Sequence, residues 1–222
     1  MIRLPFDISV TLSKKKKIPV FYMFGRTFLP HQLLRFLASA RWAKIIGKNR
    51  ESVVIELYGQ RIWLLNNFFI IFVNEWRIWE KYYLPTFSLK GKTVLDVGAG
   101  CGETAFFYLL HGTQKIVAIE PDREAIACLR ENASRNGWNV EIIPEAFKLN
   151  HLDIPHDFMK MDIEGQEKEL LQTSNITPCI IEVHSKDLEE KLEEKGFKEV
   201  CSYKGYYLMT FSPKPRSSAG VN

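Results

Sequence analysis

The chain lacks a long apolar segment and any close pairing of cysteines. Its longest apolar stretch, Ile62 to Val73, has 12 residues and includes Asn66 and Asn67, whereas a membrane-spanning helix needs about 20. Its 4 cysteines lie far apart, with no C-x-x-C pair and no His/Cys cluster of zinc-site spacing. We therefore expect no transmembrane segment, no zinc site of this kind and a reducing, cytoplasmic location.

Leader and repeat signals are also missing. Lys14 to Lys17 precede an apolar stretch, as in a secretory signal, but Arg26, His31 and Arg35 interrupt the region that follows. No segment recurs at solenoid spacing. With 222 residues and 46% hydrophobic content, the chain has ample material for a core. These features favour one compact domain with an extension, and we do not expect secretion.

Acidic residues are scarce in the first 90 positions. Residues 1 to 90 hold 15 Lys/Arg and 5 Asp/Glu, whereas residues 91 to 222 hold 15 and 21. Lys14 to Lys17 form the densest basic run, and aromatic residues such as Phe21 and Tyr22 follow it. Such a distribution is typical of a segment that contacts nucleic acid, a phosphorylated sugar or a membrane surface. A solvated basic segment without a partner is the alternative.

The sequence of residues 1–74 predicts a basic N-terminal extension of mixed α and β structure. Residues 29–47 have near-helical apolar spacing and predict a helix ending at Gly47. Residues 52–57 and 61–65 flank Tyr58-Gly59-Gln60 and predict a hairpin, with residues 68–73 as a candidate third strand. A helix is expected over residues 74–83. Residues 75–212 then form the main domain, and residues 213–222 form a flexible tail.

From Thr93 onward, short apolar strands alternate with helices. Strands are expected near residues 93–98, 115–120, 140–144, 158–163 and 178–183. This alternation predicts an α/β fold with a doubly wound, mostly parallel sheet. Residues 197–203 and 206–211 flank Lys204-Gly205 and predict a C-terminal antiparallel hairpin. Ligands of such sheets bind beyond the carboxyl ends of the strands.

A loop with three glycines follows the first of these strands. Residues 94–104 read Val-Leu-Asp-Val-Gly-Ala-Gly-Cys-Gly-Glu-Thr, and Gly98, Gly100 and Gly102 allow tight turns and the close approach of a ligand. Glu120 ends the second strand, where a carboxylate would bind ribose hydroxyls. A dinucleotide fingerprint needs G-x-G-x-x-G, but Glu103 stands at its last position. The loop and the acid predict a nucleoside ligand other than a nicotinamide cofactor.

The loop resembles motif I of class I S-adenosylmethionine-dependent methyltransferases, whose D-x-G-x-G-x-G core is matched by Asp96, Gly98, Gly100 and Gly102. The resemblance implies a Rossmann-like methyltransferase domain in residues 75–212 with S-adenosylmethionine as its cofactor. It implies that Glu145-Ala146 contacts adenine, a surface acid being the alternative for Glu145. The implied cofactor-binding residues are Asp96, Gly98, Ala99, Gly100, Gly102, Thr104, Glu120, Pro121, Glu145, Ala146 and Asp162.

Residues 158–171 read Phe-Met-Lys-Met-Asp-Ile-Glu-Gly-Gln-Glu-Lys-Glu-Leu-Leu. They are similar to the K-x-D-x-E-G-x-E signature of FkbM-type methyltransferases, and residues 180–184 are similar to that family's later strand. This resemblance implies in-line O-methylation of a hydroxyl on a sugar, glycolipid or other small metabolite. It makes Asp162, Glu164 and His184 the candidate general bases. The alternative for Glu164 and Glu167 is helix initiation. The chain departs from that family at Gly100, where Asn is usual, and in the short link over residues 147–157.

Other functions stay open. The basic N-terminal region favours RNA methylation, although the Asn-Pro-Pro-aromatic motif of many amino-group methylases is absent where Met161-Asp162-Ile163-Glu164 stands. A third hypothesis is a non-catalytic binding scaffold with a cofactor fold. A divalent cation would find oxygen and imidazole ligands at Asp162, Glu164, Glu182 and His184, but we expect no bound metal.

Overall fold

The computed structural model describes residues 9–12, 19–23, 26–28, 43–203 and 205–213, with side chains described from residue 43 onward apart from residue 203. The chain forms two compact units. The first comprises Met1–Ile78, Gly100–Glu103 and Arg123–Trp138. The second comprises Trp79–Ala99, Thr104–Asp122 and Asn139–Asn222. Most of the predicted helix over residues 29–47, and nearly all of the predicted tail, lie outside the described residues.

Two small antiparallel sheets belong to the first unit. One contains β1 (Ser9–Leu12), β2 (Pro19–Met23) and β3 (Arg26–Phe28). The other contains β4 (Lys44–Lys48), β5 (Ser52–Leu57) and β6 (Gln60–Leu65). Val53 and Ile55 of β5 lie opposite Leu64 and Ile62 of β6, and all four side chains are buried. The predicted hairpin is thus confirmed, because alternating apolar residues of both strands share one face.

Two predictions about this unit are wrong. Residues 68–73 belong to helix α1 (Asn66–Tyr82) and form no third strand. Their apolar run stays in phase with the helix that follows, since buried side chains recur at spacings of three and four residues: Phe69, Phe72, Val73, Trp76 and Trp79. The third strand is instead β4, at the end of the segment predicted as a helix. Its exposed and half-buried residues alternate, which is the period of a strand.

The second unit contains a seven-stranded sheet. Its strands are β7 (Thr93–Val97), β8 (Lys115–Ile119), β9 (Val140–Ile143), β10 (Phe158–Met161), β11 (Cys179–Val183), β12 (Lys198–Tyr203) and β13 (Tyr206–Phe211). Their order in the sheet is β12-β13-β11-β10-β7-β8-β9. Strands β7 to β11 pair in parallel, and β13 is antiparallel to both of its neighbours. This arrangement confirms the predicted Rossmann-like sheet and its C-terminal hairpin.

Short connections join the strands. They include helices α2 (Glu103–Leu110), α3 (Arg123–Asn136) and α4 (Lys186–Glu194), and two 3-10 helices, Leu149–Asp153 and Gln166–Gln172. The first 3-10 helix replaces a full crossover helix between β9 and β10, as the short link predicted. All four residues of β10 are buried, as expected of an interior strand of a parallel sheet. Within the described residues, no helix is long and apolar enough to cross a membrane.

The strand order determines which candidate residues become neighbours. Strand β10 lies between β7 and β11, and the three strands run in parallel. Gly98, Asp162 and His184 each follow the carboxyl end of one of these strands. The sheet therefore brings the glycine loop, the fourth-strand acid and the histidine to one edge, where such folds bind their ligands.

Candidate active site

Gly98 begins the glycine loop at the end of β7. Its φ is +74°, in the region that favours glycine. A Cβ atom here would lie 2.0 Å from the backbone oxygen of Asp162. The backbone N–H groups of Gly98 and Ala99 donate to the carbonyl of Ile119, at 2.9 and 3.2 Å. Only glycine therefore lets the loop lie against both the end of β10 and the end of β8.

The later part of the loop belongs to the first unit. Gly100 and Gly102 have φ values of +53° and +87°. A Cβ at Gly100 would lie 2.6 Å from the Phe68 ring, and one at Gly102 would lie 2.4 Å from Leu129. The Asn132 side chain donates to the carbonyl of Cys101 at 2.9 Å. Both glycines are therefore required by packing as well as by backbone conformation.

Asp96 and Lys160 form a buried ion pair beneath the loop. The Lys160 Nζ lies 3.3 Å from Asp96 Oδ1, with 4% and 0% of the two side chains exposed. Lys160 also donates to the carbonyl of Gly98 at 2.7 Å, and the Thr104 hydroxyl donates to Asp96 at 2.7 Å. Burial raises the pKa of Asp96, while Lys160 and Thr104 act in the opposite direction. Asp96 and Thr104 thus lie beneath the loop, and Lys160 joins Asp96 to the carbonyl of Gly98.

Glu120, the predicted ribose-binding acid, lies beside the glycine loop. It follows β8 directly, and its side chain is buried, with 7% of the residue exposed. One of its carboxylate oxygens accepts the backbone N–H of Asp122 at 2.9 Å. The residue before it, Ile119, accepts both N–H groups of the loop. Glycine loop and acid are therefore adjacent, while Pro121 beside Glu120 is exposed.

Glu145 and Ala146 follow β9 in a more exposed position. The Glu145 carboxylate is 42% exposed and accepts from His151 Nε2 at 2.8 Å and from Lys148. These hydrogen bonds, that of Lys148 first, hold the pKa of Glu145 below its usual range. Ala146 is exposed. Glu145 thus has local partners of its own, and its contact with adenine stays a prediction.

Three predicted catalytic residues come together at the ends of β10 and β11. The His184 Nε2 lies 3.7 Å from Asp162 and 3.8 Å from Glu164. Glu164 has a φ of +52° and an 84% exposed side chain, whereas 14% of the His184 side chain is exposed. Helix initiation does not account for Glu164, since it stands in a left-handed turn before Gly165 and the 3-10 helix.

Two further carboxylates complete this cluster. Glu182 Oε1 lies 3.7 Å from His184 Nε2, and Glu167 Oε1 lies 3.4 Å from His184 Nδ1. The Tyr83 hydroxyl donates to Glu182 at 3.2 Å. Hereafter the acid–histidine cluster means Asp162, Glu164, Glu167, Glu182 and His184. It places four carboxylates around one imidazole.

The environment of the cluster strongly raises the pKa values of two of its members. Burial lowers the proton affinity of His184, but the surrounding carboxylates, Glu167 foremost, outweigh it and raise the pKa of His184 to about 9. Burial and the charge of Asp162 raise the pKa of Glu182 to about 7. Perturbed groups of this kind are typical of active sites.

Sequence reasoning missed several of these contacts. Lys160 and Glu167 belong to the quoted signature, but no role followed for Lys160, and helix initiation was the only role predicted for Glu167. The alternation of Glu182 and His184 on one strand face indicated a common site. Tyr83 carried no signal, because only tertiary packing brings the end of a distant helix to β11.

The residues present fit S-adenosylmethionine. The backbone turns sharply at three glycines, the buried carboxylate of Glu120 stands beside the loop at the end of β8, and the acid–histidine cluster begins where Gly98 contacts Asp162. Together with the sheet order, these features define a class I S-adenosylmethionine-dependent methyltransferase. The family model described as "Ribosomal protein L11 methyltransferase (PrmA)" matches residues 81–200, more than half of the chain. The chain belongs to this family.

Curated relatives match over shorter stretches. A ribosomal protein L11 methyltransferase of Tolumonas auensis is 42% identical over 60 residues, which are 27% of this chain and 20% of the relative. The enzyme of that name from Desulforamulus reducens is 29% identical over 129 residues, 52% of this chain and 41% of the relative. The chain thus spans between a fifth and two fifths of the length of these relatives.

Solved structures show a likeness at low identity. The ribosomal protein L11 methylase of Lactobacillus delbrueckii subsp. bulgaricus has a TM-score of 0.46 and 20% identity, covering 57% of this chain and 72% of its own. The tRNA m1G37 methyltransferase of M. jannaschii has a TM-score of 0.47 and 21% identity, covering 74% and 54%. The FkbM-type assignment is not supported, since the matching family is that of the L11 methyltransferases.

Proposed function

We propose that this methyltransferase modifies RNA, and that the acceptor is a hydroxyl group held at the acid–histidine cluster. The observation that carries the proposal is the contact between Gly98 and Asp162, where a Cβ would lie 2.0 Å from the Asp162 carbonyl. Cofactor loop and cluster are therefore contiguous. An acceptor atom beside Asp162 would lie next to a methyl donor bound at the loop, as in-line transfer requires.

RNA as the substrate class is supported by charge. Residues 1 to 90 carry 15 basic and 5 acidic side chains, an excess typical of segments that bind phosphate backbones. The curated relatives are named for ribosomal protein L11, which supports a target within the translation machinery but not RNA in particular. An uncharged sugar or small metabolite would not need such a basic segment.

A hydroxyl acceptor is supported by the residues after β10. Met161-Asp162-Ile163-Glu164 stands where many amino-group methylases carry an Asn-Pro-Pro-aromatic motif. Bound S-adenosylmethionine would supply a sulfonium methyl group, and its sulfur would leave as the thioether of S-adenosylhomocysteine. The Asp162 carboxylate would receive the proton that leaves the hydroxyl, because His184, whose pKa is raised to about 9, already carries a proton near neutral pH. RNA offers such an acceptor at each ribose 2′-hydroxyl.

A ribosomal protein is the second candidate substrate. The name of the matched family favours it, and the carboxylates around His184 would attract a cationic amine. Methyl-labelled S-adenosylmethionine, incubated separately with purified ribosomal RNA, transfer RNA and ribosomal proteins, distinguishes the two. We expect label in a nuclease-sensitive fraction that comigrates with 2′-O-methylated nucleosides after digestion. Label confined to protein would replace the RNA proposal with the second candidate.

The Asp162→Asn variant links this activity to the cluster. We expect turnover to fall by about 100-fold or more, since general-base catalysis contributes that much, and affinity for S-adenosylhomocysteine to fall much less. Asp187→Asn is the matched control, because Asp187 lies on α4 and pairs with Lys191. Equal turnover in both variants would remove Asp162 from the reaction.

A further inference from the structure

The acid–histidine cluster has the geometry of a cation site. Nε2 of His184 faces Asp162 and Glu182, each 3.7 Å away. These separations are too long for hydrogen bonds. They suit a shared ion, because ligand atoms each about 2.1 Å from one metal lie about 3 to 4 Å apart. One ligand atom from each of the three residues lies within 4.8 Å of the others.

Backbone geometry presents these ligands together. Glu182 and His184 are two residues apart on β11 and its extension, so their side chains share one face of the sheet. Asp162 follows the neighbouring parallel strand β10, and its N–H donates to the carbonyl of Val97 at 3.0 Å. Two ligands thus come from one strand and the third from a backbone position fixed by β7.

A buried carboxylate on the far side of the histidine is an independent indication. Glu167 is fully buried, and its Oε1 lies 3.4 Å from His184 Nδ1. Its other oxygen, Oε2, has no hydrogen-bond partner among the described residues. Histidines that bind metals commonly direct their second ring nitrogen at a carboxylate, which holds the proton on that nitrogen. Glu167 would keep the proton on Nδ1 while the ion displaces the proton from Nε2 and binds there.

Charge also favours a bound cation. Asp162, Glu167 and Glu182 are at least two-thirds buried and lie around a single imidazole. Tyr83 donates to Glu182 and the Ile163 N–H donates to Glu167, but three carboxylates beside one imidazole still leave an excess of buried negative charge, which is costly. Two oxygens and one imidazole, with no thiolate, match hard divalent ions.

We propose that Asp162, Glu182 and His184 bind a divalent cation of the magnesium or manganese class, and that Glu167 positions the histidine. This inference rests on the proposed function for its purpose: the ion would cancel the negative charge that repels RNA and would orient the acceptor hydroxyl. Binding of the ion itself does not depend on the substrate.

Titration of the full chain with Mn²⁺, followed by electron paramagnetic resonance of the free ion, tests the site without cofactor or RNA. We expect one saturable site per chain. Asp162→Asn and Glu182→Gln should each weaken binding at least tenfold, and Asp187→Asn should leave it unchanged. Glu167→Gln, which keeps an acceptor for the Ile163 N–H, should weaken binding by about 10- to 100-fold as second-sphere changes do.

Failure of this inference and failure of the proposed function are distinguishable. A folded wild-type chain without saturable Mn²⁺ binding overturns the cation site whatever its activity. Equal affinity in the Asp162→Asn and Asp187→Asn variants overturns it as well. Saturable binding that depends on the three ligands, found in a chain that labels only protein, confirms the cation site and rejects RNA as substrate. Melting temperatures of all variants verify that the compared chains are folded.

Discussion

Lys160 connects the catalytic edge of the sheet to the cofactor loop. Its ammonium group is buried between the Asp96 carboxylate and the carbonyl of Gly98. A buried ion pair contributes little compared with an apolar pair, but removal of one partner leaves a buried charge behind. The residue therefore matters for both folding and loop position.

Lys160→Met should lower the free energy of unfolding by about 3 kcal/mol, since breaking a buried ion pair typically costs that much. Urea denaturation measures the change. Lys92→Met is the matched control, because the Lys92–Asp157 pair is 44% and 37% exposed and such pairs contribute less than about 1 kcal/mol. Equal losses in the two variants would contradict a special role for Lys160. The double variant with Asp96→Asn should recover part of the loss.

Replacement of Gly98 tests whether the glycine loop must lie this close to the end of β10. A methyl group at Gly98 would lie 2.0 Å from the Asp162 carbonyl, so loop or strand must move. Gly98→Ala should weaken S-adenosylhomocysteine binding more than tenfold in calorimetry. Gly137→Ala has a similar φ of +65° but meets no atom within 4 Å. It should cost about 1 kcal/mol of stability from backbone strain alone and leave affinity intact. Comparable affinities would show that the close approach is unimportant.

The sequence predicts which candidate residues become neighbours where the order of strands alone decides proximity. Gly98, Glu120 and Asp162 each follow a strand of a parallel sheet, so strand order places them at one edge. The contact between Glu167 and His184 could not be predicted, because it depends on how a 3-10 helix packs against β11. The partners of Glu145, Lys148 and His151, escaped prediction because they depend on the local turn of the 3-10 helix Leu149–Asp153.

At the level of elements, periodicity identified the parallel strands but misjudged a short apolar run. Residues 68–73 are continuously apolar, and such a run fits a buried strand or a buried helix equally well. The buried residues of this run continue the helical spacing of Trp76 and Trp79. This spacing favours helix α1 over a strand. Strand β4 was hidden in a segment whose apolar residues also fit a helical period.

The loops before β10 and β11 are joined by a titratable contact. His156 precedes β10, and its Nδ1 donates to the carbonyl of Ile154 at 2.6 Å. Thr177 precedes β11, and its hydroxyl donates to His156 Nε2 at 2.7 Å. Burial lowers the pKa of His156 below its usual 6.5. The folded state therefore prefers the neutral imidazole.

This contact predicts a pH dependence of stability. The unfolded chain takes up a proton on His156 near pH 6.5, whereas the folded chain does so only at lower pH. Stability from this residue is thus fully present above pH 6.5 and is lost as pH falls towards the lowered folded pKa. Urea unfolding from pH 8 to 5.5 should show a smaller decline for His156→Gln than for the wild type. His111→Gln is the control; parallel declines in all three proteins would contradict the assignment.

At the level of the whole molecule, residues 1–90 and residues 91–222 carry opposite net charges, +10 and −6. The family match covers residues 81–200 and omits the basic N-terminal part. The acceptor is therefore the property that family membership determines least. The basic charge of residues 1–90 allows a quantitative prediction of how RNA binding depends on salt.

RNA binding should weaken steeply with salt. Each phosphate contact to single-stranded RNA adds about 0.7 to the slope of log affinity against log salt concentration. Replacing Lys14 to Lys17 by Gln should reduce that slope by about 3 if all four contact phosphates. Replacing four lysines of the acidic half, Lys168, Lys191, Lys195 and Lys198, should leave it nearly unchanged. Fluorescence anisotropy with labelled RNA measures both slopes. Equal slopes in the two variants would mean that net charge alone, rather than the N-terminal lysines, governs binding.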